Sequence, residues 1–164
     1  MKKTKNKSKR RVLFIASTGG HLNELLQIKD IFSYYDFSFI TEKTKSTLYL
    51  KDTYKNRVFY LTYGTKDHML SYPFKLFWNC VKSLYYYFKL HPDYIVTSGV
   101  HTAGPMCCLG KIFGSKIIYI ETFANIRTKT ITGRLLYPIS DKFIVQWESM
   151  LDIYPNAVYG GWIF

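Results

Sequence analysis

Two histidines, a glutamate and a group of glycines and hydroxyl residues each stand directly after an apolar run in this chain. Ser17-Thr18-Gly19-Gly20-His21 follows Val12-Leu13-Phe14-Ile15-Ala16. Thr97-Ser98-Gly99-Val100-His101-Thr102-Ala103-Gly104-Pro105 follows Tyr94-Ile95-Val96, and Glu121-Thr122-Phe123-Ala124-Asn125 follows Ile117-Ile118-Tyr119-Ile120. A histidine titrates near neutral pH, so His21 is the first candidate general base and Glu121 the second. Glycines allow close backbone approach to a polar ligand, and a helix starting at Gly20 adds its N-terminal amides. These residue types in this order fit the handling of a phosphate-bearing ligand at the entry turn of an α/β domain.

Other chemistries fit less well. The serine-hydrolase elbow, the Walker phosphate loop and the dinucleotide fingerprint G-x-G-x-x-G are absent. Glu42 lies 22 residues past Gly20, where a ribose-binding acid would stand, which keeps an NAD-type binding protein open as an alternative. His21, His101 and Glu121 are read as lacking a ligand-type partner one helical turn away, so no metal site is expected. His68 and His91 fall near helix ends and read as surface or capping residues. Cys80, Cys107 and Cys108 offer neither a disulfide framework nor zinc spacing. The adjacent pair reads as small core residues, and a reducing compartment fits.

The elements that must position these residues alternate. Strands are expected at 11–16, 37–41, 57–61, 94–98, 116–120 and 142–146, and helices at 20–33, 69–90, 103–113 and 128–138. Such alternation predicts an α/β fold with a mostly parallel sheet and helices on both faces. The three loops then open on one edge of that sheet.

Length and charge narrow the class. The 164 residues carry 48% hydrophobic side chains and a formal net charge of +12. Seven of those charges lie in Lys2, Lys3, Lys5, Lys7, Lys9, Arg10 and Arg11, leaving the rest at +5. Residues 1–10 are therefore read as a basic, disordered leader and 11–164 as a single domain. The leader has no apolar core of a signal peptide. It reads as a solubilising tail or as a segment drawn to an anionic surface, a membrane leaflet or nucleic acid. No recognised nucleic-acid motif accompanies it, so a nucleic-acid scaffold is the weaker alternative. No stretch reaches the roughly 18 consecutive apolar residues of a spanning helix.

The segment 69–90 combines three signals. Leu70, Phe74, Phe77, Val81, Leu84, Tyr85 and Phe88 follow helical spacing. Lys75, Lys82 and Lys89 recur every seven residues, and Trp78, Tyr85, Tyr86 and Tyr87 add interfacial aromatics. The expectation is a helix with one side on the sheet and the other on lipid. The aromatic end, Gly160-Gly161-Trp162-Ile163-Phe164, reads either as a tail tucked into the core or as a docking edge for another chain.

Four motifs in order, Ser17 to His21, Ser98 to Pro105, Glu121 to Asn125 and Tyr159 to Trp162, resemble the membrane-associated, acceptor-side subunits of split GT-B glycosyltransferases. The resemblance runs from about residue 11 to the end. Eukaryotic members serve dolichol-linked oligosaccharide synthesis, and bacterial members serve capsular and exopolysaccharide synthesis. A more distant resemblance is to the N-terminal half of the peptidoglycan lipid-linked glucosaminyltransferase.

The resemblance implies a Rossmann-like domain equivalent to the N-terminal half of a GT-B enzyme. It implies a partner, a donor-binding glycosyltransferase subunit that carries the UDP-sugar, with no cofactor bound by this chain itself. The acceptor would be a polyprenyl-pyrophosphate-linked sugar, met by Thr18, Gly19, Gly20, Ser98, Gly99, His101, Thr102, Gly104 and Asn125. His21 or Glu121 would take the acceptor proton, with Glu121 lining the cleft. Gly160, Trp162, Ile163 and Phe164 would meet the partner, the donor half being expected on that separate chain. Eukaryotic members carry an N-terminal membrane helix. Here attachment to an anionic membrane surface, the cytoplasmic face of a bacterial plasma membrane, would fall to the leader and to Lys75, Trp78, Lys82, Tyr86 and Lys89.

Overall fold

The structure, a computed structural model, describes residues 9–64, 72–99 and 102–164. Seven parallel strands form one sheet in the order β3-β2-β1-β4-β5-β6-β7. They are β1 Arg11–Ile15, β2 Asp36–Glu42, β3 Val58–Leu61, β4 Tyr94–Thr97, β5 Lys116–Ile120, β6 Lys142–Val145 and β7 Val158–Tyr159. The helices are α1 Gly20–Gln27, α2 Tyr49–Tyr54, α3 Tyr72–Leu90, α4 Gly104–Ile112 and α5 Ile131–Leu136. The six expected strands form within about two residues of their limits. The short α2 is an addition, since six residues carry too little periodicity to be read, whereas β7 falls in the short extended piece that Ala157-Val158-Tyr159 forms before the closing glycines. The helix expected over 20–33 ends at Gln27 and continues as a 3-10 helix, Lys29–Tyr34.

Parallel strands buried on both faces need apolar residues at every position, and β1 supplies them. Leu13 and Ile15 enter one core with Ile40, Ile95, Ile117, Tyr119 and Phe143, under α3, α4 and α5. Val12 and Phe14 enter the other with Phe39, Val96 and Leu22 and Leu25 of α1. Phe32 closes this second core, its ring 4.3 Å from Phe14. Within the adjacent cysteine pair, Cys107 is buried as expected, whereas Cys108 is exposed on the far side of α4.

The chain order reverses between β1 and β4, which both pair with neighbours on opposite sides. In such sheets the crevice for ligands opens at the carboxyl ends of those two strands. Of the leader, residues 1–8 lie outside the described residues. Lys9 donates to the Ser33 carbonyl at 2.6 Å, and Arg11 opens β1 with a 3.1 Å ion pair to Asp93.

Candidate functional site

The rim is built from the loop after β1 outward. Ala16 still donates to the Ile40 carbonyl at 3.2 Å, and Thr18 N–H then turns to the Glu42 carboxylate at 3.3 Å. Gly19 stands at φ +94°, a left-handed value that an L side chain rarely adopts, and starts α1. No side chain caps α1, so its first-turn amides keep no side-chain partner. Gly19 and Gly20 are exposed, and Thr18 and His21 are half-buried.

Beneath this turn lies a brace. The Ser98 hydroxyl donates to the His21 carbonyl at 2.9 Å. Thr102 donates to the second oxygen of Glu42 at 3.0 Å. Glu42 is buried and ties the β1 loop to the β4 loop, so the ribose-binding role weighed for it is corrected: both its oxygens are already engaged. Ser98, Gly99 and Thr102, expected to touch the acceptor, are likewise buried and hold the rim from below. His101 and His68 lie outside the described residues. Gly104 is half-buried at the start of α4, and Asn125 is spent within its own loop, accepting from the Thr128 hydroxyl at 2.9 Å and donating to the Thr128 carbonyl. His91 terminates α3 in a left-handed conformation, the capping role read for it.

Glu121 is placed differently from expectation. Its side chain is 1% exposed and turns inward under α5. The Thr122 N–H at 3.1 Å and the hydroxyls of Thr130, Tyr154 and Tyr119 at 3.2, 3.3 and 3.4 Å surround the carboxylate. Burial raises its pKa, and these donors only partly offset the rise. A Cβ at Gly133 would overlap both this carboxylate and the Tyr154 hydroxyl, so only glycine lets α5 settle here. Glu121 therefore does not line the cleft and has no open side for a substrate hydroxyl.

His21 meets a carboxylate that the spacing rule should have exposed. Glu24 is three residues on, one turn along α1, and its Oε2 lies 3.4 Å from His21 Nδ1. Its other oxygen accepts from the Thr122 hydroxyl and from the Phe123 N–H, at 2.5 and 3.2 Å. Burial alone would raise the Glu24 pKa, but His21, Thr122 and Phe123 together hold it below the usual value. The statement that His21 lacks a partner one turn away is thus corrected. Among the described residues no three His, Cys, Asp or Glu side chains gather to hold a metal.

The C-terminal segment divides between the two readings given for it. Gln146 donates to the Glu121 carbonyl at 3.0 Å and accepts from the Ile163 and Phe164 N–H groups at 3.0 and 3.3 Å. Ile163 and Phe164 pack half-buried against the second core. Gly160 is exposed, and Trp162 is 75% exposed with its ring stacked 4.7 Å from Phe123 of the β5 loop.

Helix α3 is turned inside out relative to an ordinary amphipathic helix. Asn79, Ser83 and Tyr87 face the protein. Leu70 lies outside the described residues; the rest of the apolar stripe that the spacing identified faces outward, Phe74 and Phe77 being 78% and 68% exposed, with Trp78, Val81, Leu84, Tyr85 and Phe88 beside them. A large exposed apolar patch on a folded domain marks an interaction surface. Ile112 and Phe113 extend it from α4, and Ile131 and Leu135 are exposed on α5. No acidic residue occurs in α3, α4 or α5. Lys89 is exposed at one edge of the stripe, its Nζ 5.7 Å from the centre of the Tyr85 ring, and Lys75 is half-buried. Lys82 and Tyr86 turn instead toward β3, bonding the Thr62 hydroxyl at 2.9 Å and the Tyr60 carbonyl at 3.4 Å. No described helix is long and apolar enough to cross a membrane.

Comparison with known proteins bears on this arrangement. The chain is 29% identical to the UDP-N-acetylglucosamine transferase subunit alg14 of Schizosaccharomyces pombe, over 92% of this chain and 81% of that protein. It is 27% identical to the UDP-N-acetylglucosamine transferase subunit ALG14 of Mus musculus, over 92% and 82%. Among solved structures it resembles Acinetobacter baumannii MurG with a TM-score of 0.68 and 18% identity, and the Rickettsia bellii UDP-N-acetylglucosamine 2-epimerase with 0.67 and 14%. Each of those two matches covers 92% of this chain, which spans only 43% of each of those longer chains, and at such identity the likeness is one of fold. The parallel sheet is thus the Rossmann-like half of a GT-B-type architecture. The family described as oligosaccharide biosynthesis protein Alg14 like matches residues 12–163, nearly the whole described domain, and this chain belongs to that family.

Proposed function

We propose that this chain is the acceptor-binding, membrane-seated subunit of a two-component UDP-sugar glycosyltransferase, catalytic only together with a donor-binding subunit. The observation that carries this is the meeting of the family's motifs at one rim. The Gly19-Gly20-His21 turn, the β4 loop, the β5 loop and Trp162 are joined there through Ser98, Glu24 and Phe123. The relatives' names supply N-acetylglucosamine as the sugar class. The setting in bacterial capsular or exopolysaccharide repeat-unit synthesis rests on the resemblance of the motifs, since the two relatives compared are fungal and mammalian.

In this proposal α3 lies flat on an anionic leaflet, its outer stripe in the headgroup region. Thr62, at the rim end of β3, holds α3 through Asn79, so the rim stands beside the membrane surface. That is the height of a lipid pyrophosphate, which the first-turn amides of α1 suit. The partner, docked by Trp162 and Gly160, brings the UDP-sugar and closes the cleft against water. The acceptor hydroxyl oxygen then attacks the anomeric carbon as the bond to UDP breaks. UDP leaves with the electron pair, and the hydroxyl proton passes to His21.

Co-expression with a donor-binding subunit from the same genome tests this. The complex should transfer sugar from UDP-N-acetylglucosamine to a polyprenyl-pyrophosphate-linked sugar in anionic vesicles. Full-rate transfer by either subunit alone would overturn the two-component assignment. Unchanged turnover in His21→Ala would remove His21 from the role of base.

A further inference from the structure

Among the described residues, Glu24 is the charged side chain that touches both the candidate base and the loop after β5. Its Oε2 and the Nδ1 of His21 are both closed to solvent. Neither has a conventional hydrogen-bond partner among the described residues, and they face each other at 3.4 Å. Its Oε1 is held by Thr122 and Phe123, which are 98 and 99 residues away in the chain. An imidazole ring with one nitrogen aimed at a fixed carboxylate takes the tautomer that puts its proton there, leaving the other nitrogen with its lone pair free.

We propose that Glu24 is the positioning residue for His21. It holds the proton on Nδ1 and leaves Nε2 as the proton acceptor at the rim. Through Thr122 and Phe123 it also makes that orientation depend on the seating of the β5 loop. The same carboxylate thus does two things that a solvent-facing i,i+3 partner would not. It fixes the ring against rotation, and it reports the position of a loop on which Trp162 is stacked. This rests on His21 being the base of the function proposed above. Glu24 is not itself in reach of substrate, because its carboxylate is already divided between His21 and the β5 loop.

Nitrogen-15 NMR of the isolated chain, labelled at histidine, tests the orientation without any turnover. His21 is assigned by the signal missing in His21→Ala. At a pH where the ring carries one proton, the expected result is His21 in the Nδ1–H form. In Glu24→Leu it should shift toward the Nε2–H form that free imidazole side chains prefer. Glu24→Gln keeps the side-chain length but only one acceptor oxygen; with that oxygen on Thr122 and Phe123 its NH2 faces Nδ1, so it should also shift His21 toward the Nε2–H form, and it serves if the leucine variant fails to fold. In the reconstituted complex, Glu24→Leu should lower kcat by about 10- to 100-fold with KM for UDP-N-acetylglucosamine unchanged. Thr122→Val should lower kcat by a smaller factor through the loosened loop. An Nε2–H form in the wild type, or a tautomer indifferent to Glu24→Leu, would overturn the proposal even if His21 proved essential. A normal tautomer shift with no effect of His21→Ala on turnover would instead sink the base assignment on which it rests.

Discussion

Asn79 pairs with Thr62 as one strand pairs with another. Its Oδ1 accepts the Thr62 N–H and its Nδ2 donates to the Thr62 carbonyl, both at 2.8 Å. Thr62 is the residue past the end of edge strand β3, so α3 satisfies the backbone groups that a further strand would have taken. This polar anchor is what frees the apolar side of α3 to face outward. In Asn79→Leu both Thr62 groups are left unpaired at a nearly closed site. The domain should lose about 2–4 kcal/mol of unfolding free energy, read from urea denaturation.

The outward stripe should behave in the opposite way. Phe77→Ser and Trp78→Ser remove exposed side chains, so stability should stay within about 0.5 kcal/mol of the parent. Binding to vesicles containing phosphatidylglycerol should nevertheless fall. Lys75→Glu with Lys89→Glu reverses two charges at about 1 kcal/mol per basic residue, and should weaken that binding by at least about 10-fold. Binding to neutral phosphatidylcholine vesicles should be weak for all variants. Unchanged sedimentation with anionic vesicles would show that α3 is not the seat.

Glu121 should make stability fall as pH rises. Its folded pKa is raised, by burial first, among the hydroxyls of Tyr119, Tyr154 and Thr130. A carboxyl raised on folding favours the folded state fully below its unfolded value of roughly 4.3. That contribution is lost as pH climbs through the folded value. Glu121→Gln stays neutral throughout, so its melting temperature should gain on the parent's between pH 4.5 and 7.5. Parallel melting curves across that range would contradict the raised pKa.

Trp162 and Phe164 should separate docking from folding. Trp162 is exposed and Phe164 is packed on the core. Trp162→Ala should leave the melting temperature nearly unchanged and weaken binding of the donor-binding subunit at least about 10-fold, as an exposed aromatic anchor would. Phe164→Ala should lower the melting temperature of the chain alone. Isothermal titration of the two subunits, with thermal melts of each variant, distinguishes them.

The backbone of this fold is legible in the chain. Runs such as Val12 to Ile15 and Ile117 to Ile120 are apolar throughout because a parallel strand is buried on both faces, and their shortness and β-branched content favour a strand over a buried helix. The glycine turn at Gly19 is legible for the same local reason, since its φ of +94° is a property of one residue. The periodicity of α3 reveals that a stripe exists. Which side it faces depends on Asn79 finding Thr62, a contact across 17 residues. Glu121 looked like a rim carboxylate by its place after β5, and the turn of its side chain toward Tyr154 took it inside. Glu24 needed only the i,i+3 rule to be paired with His21, but its second bond, to the loop almost a hundred residues on, exists only because β1 and β5 flank β4 in one sheet. Local backbone preference and burial on two faces are written residue by residue. The direction of a side chain, and the partner it meets, are settled by which strands the folded sheet sets side by side.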